Sequence, residues 1–274
     1  MNAVMMDTLL KLTEYDLEVS RPKALRLYPS PETSDPDGVE IFWAPFDYTN
    51  REAKLVIVGV TPGPNQAFRS YEAVRMAVTK GAEPDAEIER IKAESSFRGE
   101  VMEPNLKSLL EHRGLAERAG IEDIDDLWTK EAQKVHFTST IRYLTFIGGE
   151  LFNNQIDSLR HPVLRRYVET YLAEELAVVP LDAVIVALGQ KGPRIVRHAA
   201  KVAGIDPGRV LALPHPSPSA NGAVRDFLSK NRTQSIRRCR CMLCDRTRIP
   251  EGWDLCSRYQ MHDLTHGKLA SGAR

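Results

Sequence analysis

Four short strand-like segments punctuate this chain at long intervals, at residues 54–60, 134–140, 181–188 and 210–213. Each is too short for a typical helix; Leu55-Val-Ile-Val, Val184-Ile-Val-Ala-Leu188 and Val210-Leu-Ala-Leu213 are apolar without alternation. Near-continuous apolar runs of this length suit strands buried on both faces of a parallel sheet. The intervening segments carry helical spacing instead. Residues 67–79 place Phe68, Tyr71 and Val74 on one stripe, 85–94 is charged and helical, and 104–119 reads as a longer helix. Helices follow at 162–178, opened by Pro162, at 192–203, and from Asn221 to about Lys230. Residues 7–18 suit a short amphipathic helix, and 28–38 is a proline-rich loop. This alternation predicts an α/β fold of three layers, a mainly parallel four-stranded central sheet with helices on both faces. Phe42-Trp43-Ala44-Pro45-Phe46 reads as the lead-in to its first strand.

Two of the strands break into loops stiffened by proline. After Val210–Leu213 come Pro214-His215-Pro216-Ser217-Pro218, where each ring fixes its own φ and drives the preceding residue towards extended geometry. An imidazole and a hydroxyl are thereby presented in a nearly predetermined direction at the carboxyl end of a strand, where open α/β sheets bind ligands. After Lys54–Val60 come Thr61-Pro62-Gly63-Pro64-Asn65, again with little slack. His215 is the first candidate for chemistry; Ser217 is either a ligand contact or a turn hydroxyl.

These residues resemble the motifs of the uracil-DNA glycosylase superfamily. Gly59-Val-Thr-Pro-Gly-Pro64 is similar to its first motif and His215-Pro-Ser-Pro-Ser-Ala220 to its second. Val135-His-Phe-Thr-Ser-Thr140 and Asp182–Gly189 resemble the two core strands between them, so the similarity spans roughly 54–230. It implies a monofunctional DNA glycosylase that flips a nucleotide out of the duplex and cleaves its N-glycosidic bond by water attack. An abasic site is left, and no cofactor is needed for catalysis. His215, kept neutral, would donate to the carbonyl oxygen of the departing base. Thr61 stands where many relatives carry Asp or Asn to hold the attacking water; its hydroxyl can hold a water but is no general base. Asn65 is the second candidate to hold it. Gly63 stands where classical uracil enzymes place a tyrosine, and Ser139 where an asparagine amide reads uracil. Both changes point to a larger pocket and a modified pyrimidine, in repair or in defence against phage DNA, with uracil still among the candidates. Phe68, ahead of Phe46 and Trp43, is expected to stack on the base, and Pro62, Pro64, Pro216, Ser217 and Pro218 to meet DNA. The competing reading is an inactive module that binds damaged DNA or a nucleotide.

Composition narrows this only locally. Lys plus Arg and Asp plus Glu each number 37 in 274 residues, so no global basic excess announces a nucleic acid, although a local patch suffices. No apolar run reaches membrane length, and the acid-bearing first residues do not read as a secretory signal, so a cytoplasmic monomer is expected. Beyond a sheet domain of 1–231, residues 232–274 form a basic appendage. There Arg232, Arg237, Arg238 and Arg240 precede or interleave with the only cysteines, Cys239, Cys241, Cys244 and Cys256. A disulfide framework is not expected in a reducing compartment. The cysteines offer a tetrahedral zinc site, with His262 and His266 as substitutes, or remain reduced thiols on a tail. If they bind zinc, purified protein carries about one metal equivalent per chain. Chelation then loosens residues beyond Arg232 while the sheet domain stays folded. Elemental analysis of freshly prepared, reduced protein decides it; no stoichiometric metal means plain thiols.

Overall fold

The computed structural model describes residues 2–13, 16–17 and 21–238. The four cysteines and all but the first residues of the expected appendage lie outside them. Eight strands run in chain order as β1 Arg26–Tyr28, β2 Val39–Phe42, β3 Leu55–Gly59, β4 Val135–Ser139, β5 Leu144–Ile147, β6 Glu150–Leu151, β7 Val184–Leu188 and β8 Val210–Leu213. The helices used below are α1 Ala3–Lys11, α2 Pro64–Thr79, α3 Pro84–Ser95, α4 Met102–His112, α5 Leu115–Arg118, α6 Pro162–Tyr167, α7 Ala173–Val178, α8 Gly192–Val202 and α9 Asn221–Arg238.

The four strand-like segments form a parallel sheet in the order β4-β3-β7-β8. Strand β3 is bonded along both edges, Leu55 opposite Val135 and Val184, Ile57 opposite Phe137 and Val186. Because strand side chains alternate, β3 feeds two cores. Val56 and Val58 join Ile185, Leu176, Ile195 and Val196 on one face. Leu55 and Ile57 join Val186, Leu106, Leu109 and Trp128 on the other. Both faces are therefore covered by helices, as a parallel sheet requires. Full burial of each such aliphatic side chain contributes about 1.5–3 kcal/mol.

Three departures from the expected elements have local causes. The helix expected over 104–119 breaks at Gly114, whose φ of 61° cannot continue it, leaving α4 and α5. The helix at 162–178 passes through a π-turn, Val168–Leu172, between α6 and α7. The largest departure is a second sheet, antiparallel and ordered β1-β2-β5-β6, which takes up Phe42 as strand rather than lead-in. Its hairpin turns on Gly148 and Gly149, both with positive φ, as a two-residue turn between twisted strands needs.

A buried charge cluster joins α3 and α7 to β4. The Lys92 ammonium donates to the Phe46 and Tyr48 carbonyls at 2.9 and 2.6 Å and lies 3.8 Å from Glu175. Arg142 Nε donates to the same carboxylate at 2.5 Å, and His136 Nε2 bonds its other oxygen at 3.0 Å. Burial pushes the Glu175 carboxyl up, but Lys92, Arg142 and the His136 bond outweigh it and hold it well below the usual range. Burial pulls the Lys92 ammonium down to about 8 despite Glu175. Glu175→Gln leaves two cations without their counter-charge and should cost about 3–5 kcal/mol. With a depressed folded pKa, this carboxylate's contribution is full above its ordinary 4.5 and fades as pH falls below it. Denaturant unfolding of both proteins near neutral pH and near about pH 3 checks this: the stability gap should be wide at the first and shrink at the second.

Candidate active site

The strand order positions the site. Taken in sequence along the chain, the parallel strands lie second-first-third-fourth, so the chain reverses direction across the sheet between β3 and β7. Ligands in open α/β sheets bind beyond the carboxyl ends of the strands at such a reversal. There the loops after β3, β4, β7 and β8 converge.

The loop after β3 is laced to the end of β4. The Gly59 carbonyl accepts the Thr140 amide at 2.9 Å, and the Val60 carbonyl accepts the Thr140 hydroxyl at 2.8 Å and the Ile141 amide at 3.0 Å. The Thr61 hydroxyl donates to the Tyr143 carbonyl at 2.7 Å. Its proton is thereby committed, and its lone pairs can only accept. Pro62 is buried, and Gly63 forms the N-cap of α2 with φ −78° and ψ 158°, ordinary extended backbone. A Cβ there would meet nothing within 4 Å. Pro64 opens the helix and Asn65, in its first turn, is exposed.

The loop after β8 holds His215 by its backbone. The Ser217 amide donates to His215 Nδ1 at 3.2 Å, so the ring accepts there and carries its proton on Nε2. Burial lowers the His215 pKa and keeps the imidazole neutral. Its Cβ lies 3.7 Å from the Cβ that Gly189, just past β7, lacks. Asn105 on α4 donates to the Pro216 carbonyl at 3.0 Å and to Asn221 Oδ1 at 2.7 Å, tying the loop to the start of α9. Pro216 is buried, Pro218 exposed, and the Ser217 hydroxyl pairs with that of Ser219 at 3.0 Å.

Phe97 completes this constellation and escapes the sequence reading. Its ring would lie 2.9 Å from a Cβ on Gly59, next to Ser139, and its centroid is 6.5 Å from that of His215. Only a glycine at the end of β3 lets an aromatic ring lie this low over the sheet. Phe97 has a φ of +56°, a conformation that costs a bulky residue about 1–2 kcal/mol. Strain of this kind gathers at functional sites. The sequence signal is slight: a phenylalanine between Ser96 and Arg98 in a short segment between two helices, off any helical stripe.

The structure thus gathers Gly59, Phe97, Ser139 and His215 over one face of the sheet. Phe68, partly buried on α2, packs against the core of the opposite face. Trp43 and Phe46, 0% and 3% exposed, are enclosed in that same core, which leaves neither ring a face for a base. This corrects the expectation that either could stack. Cys239, Cys241, Cys244 and Cys256 lie outside the described residues. The one His and carboxylate cluster with metal-like spacing among the described residues, Asp35, Asp37 and His161, is satisfied without an ion. There His161 Nδ1 accepts the Leu164 amide, which leaves the proton on Nε2, the atom facing the carboxylates.

A reversal-point site with a neutral, backbone-oriented histidine beside an aromatic ring is one that can bind a planar group and stabilise charge developing on it. The chain matches the uracil DNA glycosylase superfamily over residues 46–236 and belongs to that superfamily. Membership points to DNA as the partner and to N-glycosidic hydrolysis as the chemistry. The chain is also 29% identical, over 203 residues, to the uncharacterized protein YoxB of Bacillus subtilis (strain 168), covering 73% of this chain and 78% of that protein. Among the described residues, no helix is long and apolar enough to cross a membrane.

Proposed function

We propose that this protein is a monofunctional DNA glycosylase that excises a flipped, modified pyrimidine, in repair or in defence against DNA carrying such bases. The observation that carries this reading is the Ser217 amide bond to His215 Nδ1. It leaves a neutral ring with an Nε2 proton as its only donor. As the bond from C1′ to the base nitrogen lengthens, its electron pair moves onto the base and charge builds on the carbonyl oxygen. A fixed neutral donor stabilises that charge more than the ground state, without a proton having to be lost. Water then adds through oxygen to C1′ and releases a proton to solvent or to the departed base. Thr61, whose own proton is given to Tyr143, accepts from this water and orients it rather than deprotonating it. Asn65 is exposed in the next turn and is the second group for that task. Base cleavage tolerates this because bond breaking runs ahead of attack.

Phe97 is the ring on which the base stacks, with Ser139 offering it a single hydroxyl. Pro64, Ser217 and Pro218 lie at the surface that would meet the sugar–phosphate backbone, whereas Pro62 and Pro216, expected to touch DNA, are buried and only stiffen their loops. Gly63 leaves open the space that a larger side chain would fill, which favours a pyrimidine with a bulky ring substituent. The engaged Thr61 hydroxyl favours one other reading, a module that binds a flipped or damaged nucleotide without cutting it. Incubation with oligonucleotides carrying a panel of modified bases, followed by alkaline cleavage of abasic sites, separates the two.

His215→Ala should lower single-turnover excision by roughly two to three powers of ten, the scale of one preorganised donor. DNA binding should barely change. An unchanged rate, or a parallel loss of binding, removes His215 from the chemistry.

Gly63→Tyr should abolish excision of bulky bases and leave the fold intact, because the backbone at 63 is extended and a Cβ meets no atom. A thermal melt confirms the fold. Wild-type protein that removes uracil efficiently and ignores every large pyrimidine would show Gly63 to be only the start of a helix.

A further inference from the structure

The strained residue at the site is held from both sides by one indole. Trp128, 2% exposed, donates its Nε1 proton to the Ser96 carbonyl at 2.6 Å. That carbonyl and the Phe97 nitrogen belong to the same peptide plane, so fixing its direction fixes the plane about which the Phe97 φ of +56° is measured. On the other side of Phe97, the Arg98 guanidinium lies 5.2 Å from the centre of the Trp128 ring. Glu103 pairs with Arg98 at 3.1 Å and with Lys107 at 3.0 Å, and Lys107 lies over the same indole at 5.6 Å. The indole is itself set by the sheet: it stacks on Phe137 of β4 at 5.9 Å and 9°. Phe97 returns to that same Phe137 at 5.9 Å. A closed circuit therefore runs from the strand through Trp128 to the backbone on both sides of Phe97, and through its ring back to the strand.

We infer that Trp128 is a positioning residue for the reaction, holding Phe97 in its left-handed conformation so that the ring lies over Gly59 and beside Ser139 and His215, ready for the base. The inference rests on the glycosylase reading for what Phe97 does, but not for how Phe97 is held. A Trp128 that only filled the core would affect stability and leave Phe97 indifferent to its N–H. Ser96 has other anchors, its hydroxyl donating to the Lys92 carbonyl at 2.6 Å and accepting from Gln66 at 3.2 Å. These act on its side chain and leave the direction of its carbonyl to Trp128.

The test uses Trp128→Phe, which keeps a ring against Phe137 and removes the donor along with part of the indole, in the full chain with and without Phe97→Ala. Amide exchange over residues 94–100 should quicken roughly five- to tenfold, the scale of one lost hydrogen bond, while the rest of the sheet domain exchanges as before. Single-turnover excision of the best base in the panel should fall roughly tenfold in the Phe97 background and change by less than about twofold in the Phe97→Ala background, since the stacking it serves is already gone. Equal losses in both backgrounds, or unchanged exchange at 94–100, overturn the inference. If wild-type protein excises nothing, the glycosylase reading fails by itself, and the exchange comparison alone decides whether Trp128 holds Phe97. Should Trp128→Phe fail to fold, Arg98→Gln, on an exposed side chain, releases the other end of the clamp. It should quicken the same amides, and no change there counts against the inference.

Discussion

Everything at the site depends on where the central strand stops and on what its last residue lacks. Strand β3 pairs along both edges in register, so its end at Gly59 sets the level at which the neighbouring strands open into loops. Gly59 has no side chain, and the Phe97 ring takes that volume, 2.9 Å from where a Cβ would sit. A larger residue would lift the ring off the sheet and away from Ser139 and His215. One missing methyl group thus couples the sheet to the site.

The chemistry is arranged by backbone more than by charge. His215 is oriented by a main-chain amide, Thr61 by a main-chain carbonyl, and Phe97 by an indole bonded to a main-chain carbonyl. Charged groups cluster elsewhere, in the buried set of Lys92, Arg142 and Glu175, where they brace α3 and α7 against β4. Arg142 precedes Tyr143, whose carbonyl accepts the Thr61 hydroxyl's hydrogen bond and whose hydroxyl donates to Asp47 at 2.5 Å. The brace and the site therefore meet in adjacent residues. A neutral histidine donor suits the proposed reaction, in which the departing base brings the negative charge itself.

Superfamily membership fits the proposed reaction class, and the motif resemblance implies a departure from uracil recognition at two positions. Ser139 offers a single hydroxyl in place of an amide's paired donor and acceptor, and Gly63 offers no ring. Neither change damages the fold: Ser139 ends its strand in register with Gly59, and Gly63 caps its helix with ordinary dihedrals. Specificity can drift at such positions while the scaffold and the histidine stay in place.

The sequence by itself determined most of the parallel sheet, because the continuous apolar runs Leu55–Val58, Val184–Leu188 and Val210–Leu213 leave few other ways to be buried. It also determined the two proline-framed loops and their histidine, because proline fixes backbone geometry locally. The antiparallel sheet was less legible, since its strands are two to four residues long and Gly148-Gly149 was its clearest mark. Only the tertiary structure decided which aromatic rings face the site. Trp43, Phe46 and Phe68 lie close in sequence to the first motif, yet they pack on the opposite side of the sheet from Gly59 and Ser139. Phe97 and Trp128 lie far from it in sequence, and the Trp128 bond to Ser96 and the packing of both rings on Phe137 of β4 bring them together. The physical reason is one of range. Backbone stiffness and burial on both faces act within a few residues, whereas the face a ring meets is set by contacts between segments that the chain separates by dozens of positions.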